Sequence, residues 1–274
     1  MTCRVGRGEH SVQVEADFPR GNILGVGVSA IHMEQAVERI EAWIRAGRPE
    51  YVCVTPAHAV MACQDDEELR AIYNHSGLTT PDGMAIVWLL RWAGFSTVER
   101  VYGPDLLQAM CARSVGRGYR HYFYGGAPGV AAQLAQRLQR DYPGLIVAGV
   151  ESPPYRRLTE EEDQAVVQRI REAQADVVWV GIGSPRQERW MHAHYRQLGK
   201  PVLVGVGAAF DFLSGRKPQA PRWVQRAGLE WLYRLVSEPR RLWKRYLLGY
   251  PRFVGLVFMQ RMGWKRFPLE PHGS

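Results

Sequence analysis

Several polar residues stand directly after runs of apolar, β-prone residues, where the carboxyl end of a strand would place them. Thr55 ends the run YVCV, Asp82 follows GLTTP, and Gln187 with Glu188 follows VVWVGIGSP. Open α/β sheets bind ligands in the crevice beyond the carboxyl ends of their strands. A carboxylate at this edge, such as Asp82, is a candidate for a role in catalysis, although an Asp before a helix is more commonly an N-cap.

Two glycine-containing segments pass from a strand into a helix. YGGAPGVAA brings Gly125, Gly126 and Gly129 to such a turn, where backbone N–H groups can approach a phosphate. It lacks the G-K-[S/T] ending of a Walker A loop, and a tight turn that requires glycine explains it equally well. In GIGSPRQE, Gly183 is predicted to make the turn and Pro185 to occupy the first helical position.

These residues need a scaffold of alternating strands and helices. β-rich runs such as ILGVGV, HYFYG and VLVGVG alternate with amphipathic stretches such as MEQAVERIEAWI. A capping box is predicted where Thr159 is followed by Glu162. The pattern predicts an α/β fold with a Rossmann-like, mostly parallel sheet and helices on both faces, followed by a small basic helical appendage at the C-terminus.

The basic character lies in the C-terminal part. Residues 215–274 hold 13 Lys and Arg against 3 Asp and Glu, whereas the whole chain has a net charge of +8. The prolines in GRKPQAP mark a boundary, so we predict an N-terminal extension at residues 1–22, a catalytic core at 23–214 and the appendage at 215–274. A cationic segment attracts phosphates, whether on lipid, nucleic acid or a diphosphate substrate.

Within this appendage, residues 221–236 read as one helix that Pro239 interrupts. Its apolar stripe and an adjacent arginine stripe are predicted to consist of Trp223, Ala227, Trp231 and Leu235, and of Arg222, Arg226 and Arg234. Ser237 is the predicted N-cap of a second helix. Aromatic and cationic groups together suit a bilayer surface, but a core-docked helix with a solvated basic face is equally compatible.

Other classes of protein are less compatible with the sequence. Cys3, Cys53, Cys63 and Cys111 have neither disulfide-framework nor zinc-ligand spacing, which fits a reducing cytosol. The first 20 residues lack the apolar core of a signal peptide, and no apolar run reaches the roughly 20 residues of a membrane-spanning helix. Any membrane contact is therefore expected to be peripheral.

The glycines and the basic C-terminal part raise two classes of protein. The G-x-G sequences at Gly25, Gly181 and Gly205 raise an NAD-dependent oxidoreductase. The strand after Gly25, however, ends in Thr55 and Pro56, where a ribose-binding acid is expected. The basic tail raises a nucleic-acid-binding protein. A metal-dependent transferase would commonly offer a D-x-D pair to hold Mg²⁺ on a donor diphosphate, and no D-x-D is present. Metal-independent chemistry, with arginines in place of the cation, is the natural alternative.

Six motifs, in order, resemble those of the WecG/TagA/CpsF glycosyltransferases, over about residues 23–250. They are TPDGM at 80–84, ERVYGPDLL at 99–107, FYGGAPGV at 123–130, GIGSPRQE at 181–188, GVGAAFDFLSG at 205–215 and GLEWLYRLVSEPRRLWKRY at 228–246. The resemblance implies an inverting, metal-independent enzyme that uses no cofactor. It would transfer N-acetylmannosamine, its uronic acid or a hexose from a UDP-sugar to an undecaprenyl-diphosphate-linked saccharide in cell-surface polysaccharide synthesis.

The resemblance also implies roles for residues. Asp82 would be the general base, and Thr55 and Gln187 would line its pocket. The predicted nucleotide and diphosphate contacts are Gly125, Gly126, Gly129, Gly183, Glu188, Arg226, Arg234 and Arg241. The expected location is the cytoplasmic face of the plasma membrane, with peripheral attachment, no nucleic-acid partner and a possible homo-oligomer.

The chain departs from the family pattern at two positions. The family commonly reads T-P-N after its second strand, but Ala57 follows Thr55 and Pro56 here. Gln219 stands where the family usually has Arg before the Ala-Pro pair. A different sugar and neutral drift are equally compatible with both changes.

Overall fold

The computed structural model describes residues 18–269, so Cys3 and most of the predicted N-terminal extension lie outside the described residues. The chain begins with an antiparallel hairpin in which β1 (Arg20–Ile23) pairs with β2 (Val26–Ser29). Leu24 and Gly25 form its turn, both with positive φ. The prediction of one strand for ILGVGV is therefore wrong, because the turn divides the run and its two halves pair with each other.

A six-stranded parallel sheet forms the centre of the protein, in the order β4-β3-β8-β7-β5-β6. Its strands are β3 (Glu50–Thr55), β4 (Leu78–Pro81), β5 (Arg120–Gly125), β6 (Ile146–Glu151), β7 (Val177–Gly181) and β8 (Val202–Gly205). From β3 the chain moves outward to β4, and it later returns on the other side of β3 through β5 to β8. This reversal opens a crevice at the carboxyl ends of β3 and β8.

Helices cover both faces of the sheet. Those of the described chain are α1 (Met33–Ala46), α2 (Ala57–Ala62), α3 (Glu67–His75), α4 (Met84–Trp92), α5 (Gly103–Ser114), α6 (Val130–Asp141), α7 (Glu160–Glu172), α8 (Arg186–Leu198), α9 (Ala209–Leu213), α10 (Arg222–Arg226), α11 (Glu230–Ser237), α12 (Pro239–Trp243) and α13 (Gly249–Arg261). Along β3, Tyr51 and Cys53 join one buried cluster and Val52 and Val54 the other. This alternation confirms the predicted α/β fold with two covered faces.

Two local predictions are confirmed. Four apolar residues on the predicted inner face of α1 are buried, namely Ala36, Val37, Ile40 and Ile44, and Met33 on the same face is partly buried. Thr159 caps α7: its Oγ1 accepts from Glu162 N at 3.3 Å, and the Glu162 carboxylate accepts from Thr159 N at 2.9 Å. The short sequence signals of helix start and helix face are thus sufficient where no tertiary contact opposes them.

The C-terminal segment differs from its prediction. Instead of one helix over 221–236, α10 and α11 are separated at Gly228, which has φ +72°. A Cβ at Gly228 would lie 2.7 Å from the Trp88 ring, so glycine permits this close approach. Ser237 ends α11 and its hydroxyl donates to Tyr233 O, whereas Glu238 is the residue before the Pro239 that opens α12. The Ser237 cap is therefore wrong.

The helical run continues from α12 through a π-helical turn, Lys244–Leu248, into α13. Phe253 and Leu256 of α13 are buried in the same cluster as Val60 of α2. The C-terminal segment is thereby packed on the core beside the carboxyl ends of the strands. Within residues 18–269, no helix combines the length and apolar character needed to cross a membrane.

Candidate active site

The carboxyl ends of β3, β4, β7 and β8 border one cleft of about 280 Å³. The cleft lies between the sheet and the C-terminal segment, which contributes Arg234, Arg241 and Arg245 to its lining. Asp82 and Glu188 line it from the core. Carboxylates on one wall thus face arginines on the other.

Asp82 lies where the sequence predicted, immediately after β4. Its N–H is 3.4 Å from Thr55 O, because β3 and β4 run parallel with Thr55 opposite Pro81. Asp82 does not cap α4: the residue at the N-cap is Gly83, and no side chain bonds there. The carboxylate is therefore free of the structural role that an Asp before a helix usually has.

Thr55 is fully buried beside Asp82, and its hydroxyl donates to Cys53 O of its own strand at 2.9 Å. It is not among the residues that line the cleft, whereas its neighbours Val54 and Pro56 are. In the described chain, Thr55 supports the end of β3, and its predicted place in the pocket stays a prediction.

Arg100 and Glu230 surround the Asp82 carboxylate. Arg100 Nη2 donates to Glu230 Oε2 at 2.6 Å and to Asp82 Oδ1 at 3.3 Å, while Arg100 Nε donates to Asp82 O at 3.1 Å. Tyr102 donates to Glu230 Oε1 at 3.2 Å, and the Arg100 guanidinium stacks on the Tyr102 ring at 4.0 Å. Glu230 therefore receives the shortest bond from Arg100, and Asp82 keeps a longer one.

This arrangement makes Asp82 a weaker acid than an exposed aspartate. Burial raises the pKa of Asp82 to about 6, the Glu230 charge adds to the rise, and Arg100 partly opposes it. Its side chain is 16% exposed, so a reacting group still reaches the carboxylate. A carboxylate with a pKa close to the working pH is mostly ionised at pH 7 and is a competent proton acceptor.

Gln187 and Glu188 are brought to the same cleft by the first turn of α8. The helix begins at Arg186 with Pro185 at the N-cap, one residue later than predicted. Gln187 Nε2 donates to Glu188 Oε1 at 2.9 Å, but Gln187 Oε1 and Glu188 Oε2 are buried with no hydrogen-bond partner. Burial raises the pKa of Glu188. Buried polar atoms without partners are costly unless a ligand satisfies them.

The glycine loop after β5 has a structural role at its first position. A Cβ on Gly125 would lie 2.5 Å from the backbone of Gly181, so the ends of β5 and β7 meet only because Gly125 is glycine. Gly126 N–H donates to Gly181 O at 3.1 Å, and Gly129 has φ +82° before α6. Gly126 and Gly183 line a recess that adjoins the cleft. The tight-turn interpretation thus accounts for Gly125, and phosphate binding by this loop stays a prediction.

The three predicted arginines have different environments. Arg234 lines the cleft, and its Nε is buried without a hydrogen-bond partner. Arg241 also lines it and bonds Glu238 through two nitrogens, each at 2.8 Å. Arg226 is exposed at the end of α10 and is not among the residues lining this cleft. The structure therefore brings Arg234 and Arg241 together and leaves Arg226 apart.

Sequence reasoning missed Arg100, Glu230, His58 and Arg245. Arg100 and Glu230 belong to the ERVYGPDLL and GLEWLYRL motifs, but their pairing across 130 residues leaves no local signal. His58, the residue after the unusual Ala57, lines the cleft, and burial together with the Arg245 charge lowers its pKa well below the usual range. The histidine is consequently neutral.

The second departure, Gln219, belongs to the Glu230 network. Its Nε2 is 3.4 Å from the Tyr102 hydroxyl, which itself donates to Glu230. Gln219 therefore contacts the groups that position Arg100 rather than the arginines of the cleft.

Among residues 18–269, no group of three or more His, Cys, Asp or Glu is placed to hold a metal ion.

Comparison with known proteins agrees with this architecture. The family model described as "Glycosyl transferase WecG/TagA/CpsF family" matches residues 21–267. An N-acetylglucosaminyldiphosphoundecaprenol N-acetyl-β-D-mannosaminyltransferase of Bacillus spizizenii strain W23 is 31% identical over 203 residues, covering 74% of this chain and 75% of its own. The Bacillus subtilis strain 168 protein with the same name is 29% identical over 218 residues, covering 80% and 82%. The chain belongs to the WecG/TagA/CpsF family and is a glycosyltransferase of polysaccharide biosynthesis.

Proposed function

We propose that this glycosyltransferase moves N-acetylmannosamine, or a closely related sugar, from a UDP-sugar to a polyprenyl-diphosphate-linked saccharide, with inversion and without a metal ion. The observation that carries the proposal is that one cleft is lined both by Asp82, a carboxylate with raised pKa, and by Arg234, an arginine whose Nε has no partner. The names of the two Bacillus relatives supply the sugar and the acceptor class.

In the proposed reaction, Asp82 accepts the proton of the acceptor hydroxyl as its oxygen attacks the anomeric carbon. The bond from that carbon to the UDP oxygen breaks, and its electron pair leaves with UDP. A single displacement inverts the anomeric centre and needs one carboxylate as the base. The negative charge that develops on the departing diphosphate requires fixed cations, which Arg234 and Arg241 supply from the C-terminal segment.

Gln187 and Glu188 are proposed to bind the donor. Their oxygens without partners, Gln187 Oε1 and Glu188 Oε2, accept hydrogen bonds from sugar hydroxyls or from the uracil imide. A protonated Glu188, favoured by burial, donates one as well. A ligand that satisfies these atoms gains affinity, because it removes a cost that the free protein bears.

Calorimetric binding of UDP in buffer containing EDTA tests this part of the proposal. We expect UDP to bind in preference to GDP, ADP and NAD, and Glu188→Gln to weaken UDP binding about tenfold. Glu172→Gln, which alters an exposed carboxylate on α7, is the matched control. Binding of NAD or DNA in place of UDP would instead support the oxidoreductase or the nucleic-acid-binding alternative, and UDP binding that requires added Mg²⁺ would contradict the metal-free site.

Glu230→Gln tests how the base is tuned. Removing the Glu230 charge frees Arg100 to pair with Asp82, so the pKa of Asp82 falls from about 6 towards the ordinary value of about 4. Activity lost on the acid side near pH 6 should then persist to lower pH. The pH profile of kcat/KM measures this shift, with Arg222→Gln, in the same segment, as the control. An acid limb that does not move would show that Glu230 does not influence Asp82.

We further propose peripheral attachment to the cytoplasmic face of the membrane through the C-terminal segment. Exposed rings lie near the end of α13, where Phe258 contacts Trp264 at 5.6 Å and the Arg261 guanidinium stacks on Trp92 at 4.1 Å. Residues 215–274 hold 13 Lys and Arg against 3 Asp and Glu, so the segment that carries these rings is also positively charged. Apolar rings together with positive charge suit an anionic membrane surface.

Sedimentation with anionic vesicles tests the attachment. The double variant Phe258→Ser, Trp264→Ser is expected to reduce the bound fraction by about tenfold or more, because two exposed rings no longer enter the interface. The control double variant Val115→Ser, Val150→Ser removes exposed apolar groups from the surface of the α/β part of the protein and should not change binding. Equal losses in both double variants would show that no particular surface is responsible.

A further inference from the structure

A further cavity, the α2–α13 groove, lies beside the Asp82 cleft, between α2 and the C-terminal helical run. It has a volume of about 370 Å³. Its apolar lining comes from Ala57, Met61 and Ala62 on one side and from Leu248, Gly249 and Phe253 on the other. None of these residues has a place in the reaction proposed above.

The groove is continuous with the reaction site at one end. Ser184 and Arg245 line both the groove and the cleft described above. Ala57 and His58 line both the groove and a neighbouring cavity that Asp82 also borders. Leu248, which also lines the groove, is 61% exposed, so the groove opens to the surface. A ligand with its head at the reaction site therefore has an apolar path towards the surface of the protein.

The end of the groove next to the reaction site is positively charged. Lys244 and Arg245 line it, and no carboxylate among residues 18–269 forms an ion pair with either. Burial lowers the pKa of Arg245, and the nearby Arg234 and Arg241 charges act in the same direction. A bound anion offsets the repulsion between neighbouring cations, and the two negative charges of a diphosphate match such a cluster.

We propose that the α2–α13 groove binds the first isoprenyl units of the acceptor's polyprenyl chain, with Lys244 and Arg245 against its diphosphate. The inference rests on the proposed function, which makes the acceptor a polyprenyl diphosphate. Charge complementarity supports this occupant: an apolar tail joined to a dianionic head matches an apolar trough that ends in cations. The saccharide beyond the diphosphate then reaches Asp82 through the shared Ala57 and His58 wall.

Gly249 offers a way to fill the groove. It lines the groove, has ordinary helical φ at the start of α13, and a Cβ there would meet no atom within 4 Å. A leucine side chain that starts from this open Cβ position is expected to extend into the trough, and leucine is a better helix former than glycine. Gly255, also in α13 with open space around it, does not line the groove, so Gly255→Leu is the matched control.

The test compares two acceptors that carry the same saccharide diphosphate, one on a polyprenyl chain and one on a short alkyl chain. Gly249→Leu should raise KM for the polyprenyl acceptor about tenfold and leave KM for the short-chain acceptor and for the donor within about twofold. Gly255→Leu should match the wild type with both. Equal effects on both acceptors, or no effect on either, would overturn the proposal.

A binding measurement keeps the groove testable if the proposed reaction is wrong. Undecaprenyl diphosphate without a saccharide, in detergent, should quench tryptophan fluorescence or raise the melting temperature of the wild type and of Gly255→Leu, with about tenfold weaker binding to Gly249→Leu. Equal binding by both variants would refute the groove even if transfer occurs. Selective weakening would support it even if the wild type transfers no sugar from UDP.

Discussion

Asp82→Asn is expected to reduce transferase turnover by about a thousandfold, because the amide cannot accept the acceptor's proton. UDP affinity should stay within about twofold, since the predicted donor contacts, Glu188 and Gln187, are unchanged. Asp105→Asn is the matched control, because Asp105 is a carboxylate that pairs with exposed Arg222. Single-turnover transfer to a lipid-linked or short-chain acceptor measures the effect. Turnover that survives in Asp82→Asn would remove this residue from the mechanism.

The same substitution should not unfold the protein. Because the pKa of Asp82 is raised in the fold to about 6, the native state holds this proton more tightly than the unfolded chain. Asp82 therefore lowers stability as pH rises from about 4 to about 6, and the cost persists at neutral pH. Asparagine carries no charge, so the melting temperature of the variant at pH 7.5 should equal or exceed that of the wild type.

The sequence predicts the site residues that a neighbouring strand places, but not those that a contact between distant parts of the chain brings together. Asp82 follows β4 directly, Gln187 and Glu188 lie in the first turn of the helix after β7, and a parallel sheet gathers the carboxyl ends of its strands at one edge. Arg100 and Glu230 meet through the docking of the C-terminal segment on the core. No spacing rule in the sequence predicts a contact of that kind.

The fold differs from the prediction in two segments, and in each the cause is a glycine that the apolar pattern does not take into account. In residues 221–236 the apolar spacing predicts one helix, but Gly228 adopts positive φ and lets the backbone approach Trp88. The break changes the direction of the second half, so Arg226 is exposed while Arg234 lines the cleft. Similarly, Gly25 turns the first apolar run back on itself. In both places a glycine inside a periodic run marks a change of direction.

Arg234→Gln is expected to lower kcat by about a hundredfold to a thousandfold, which is the usual effect of removing one fixed donor from developing charge in a protected site. Arg234 lines the cleft, its Nε is buried without a partner, and its guanidinium is 5.7 Å from the Phe212 ring. The loss should fall mainly on kcat, because the diphosphate gains charge as its bond to the sugar breaks.

The structure also explains why Arg234 should be replaceable without loss of the fold. A buried donor with no partner costs free energy in the unliganded protein, so glutamine should leave the melting temperature unchanged or raise it. Arg240→Gln, an exposed arginine of α12, controls for the general loss of positive charge. If both variants lose the same activity, and added salt reduces wild-type activity to the same level, the arginines act only through long-range attraction of the substrate. A loss confined to Arg234→Gln instead assigns to this guanidinium the role that a divalent cation has in metal-dependent transferases. Such a cation would need carboxylate ligands to hold it, whereas the guanidinium is fixed by its own chain.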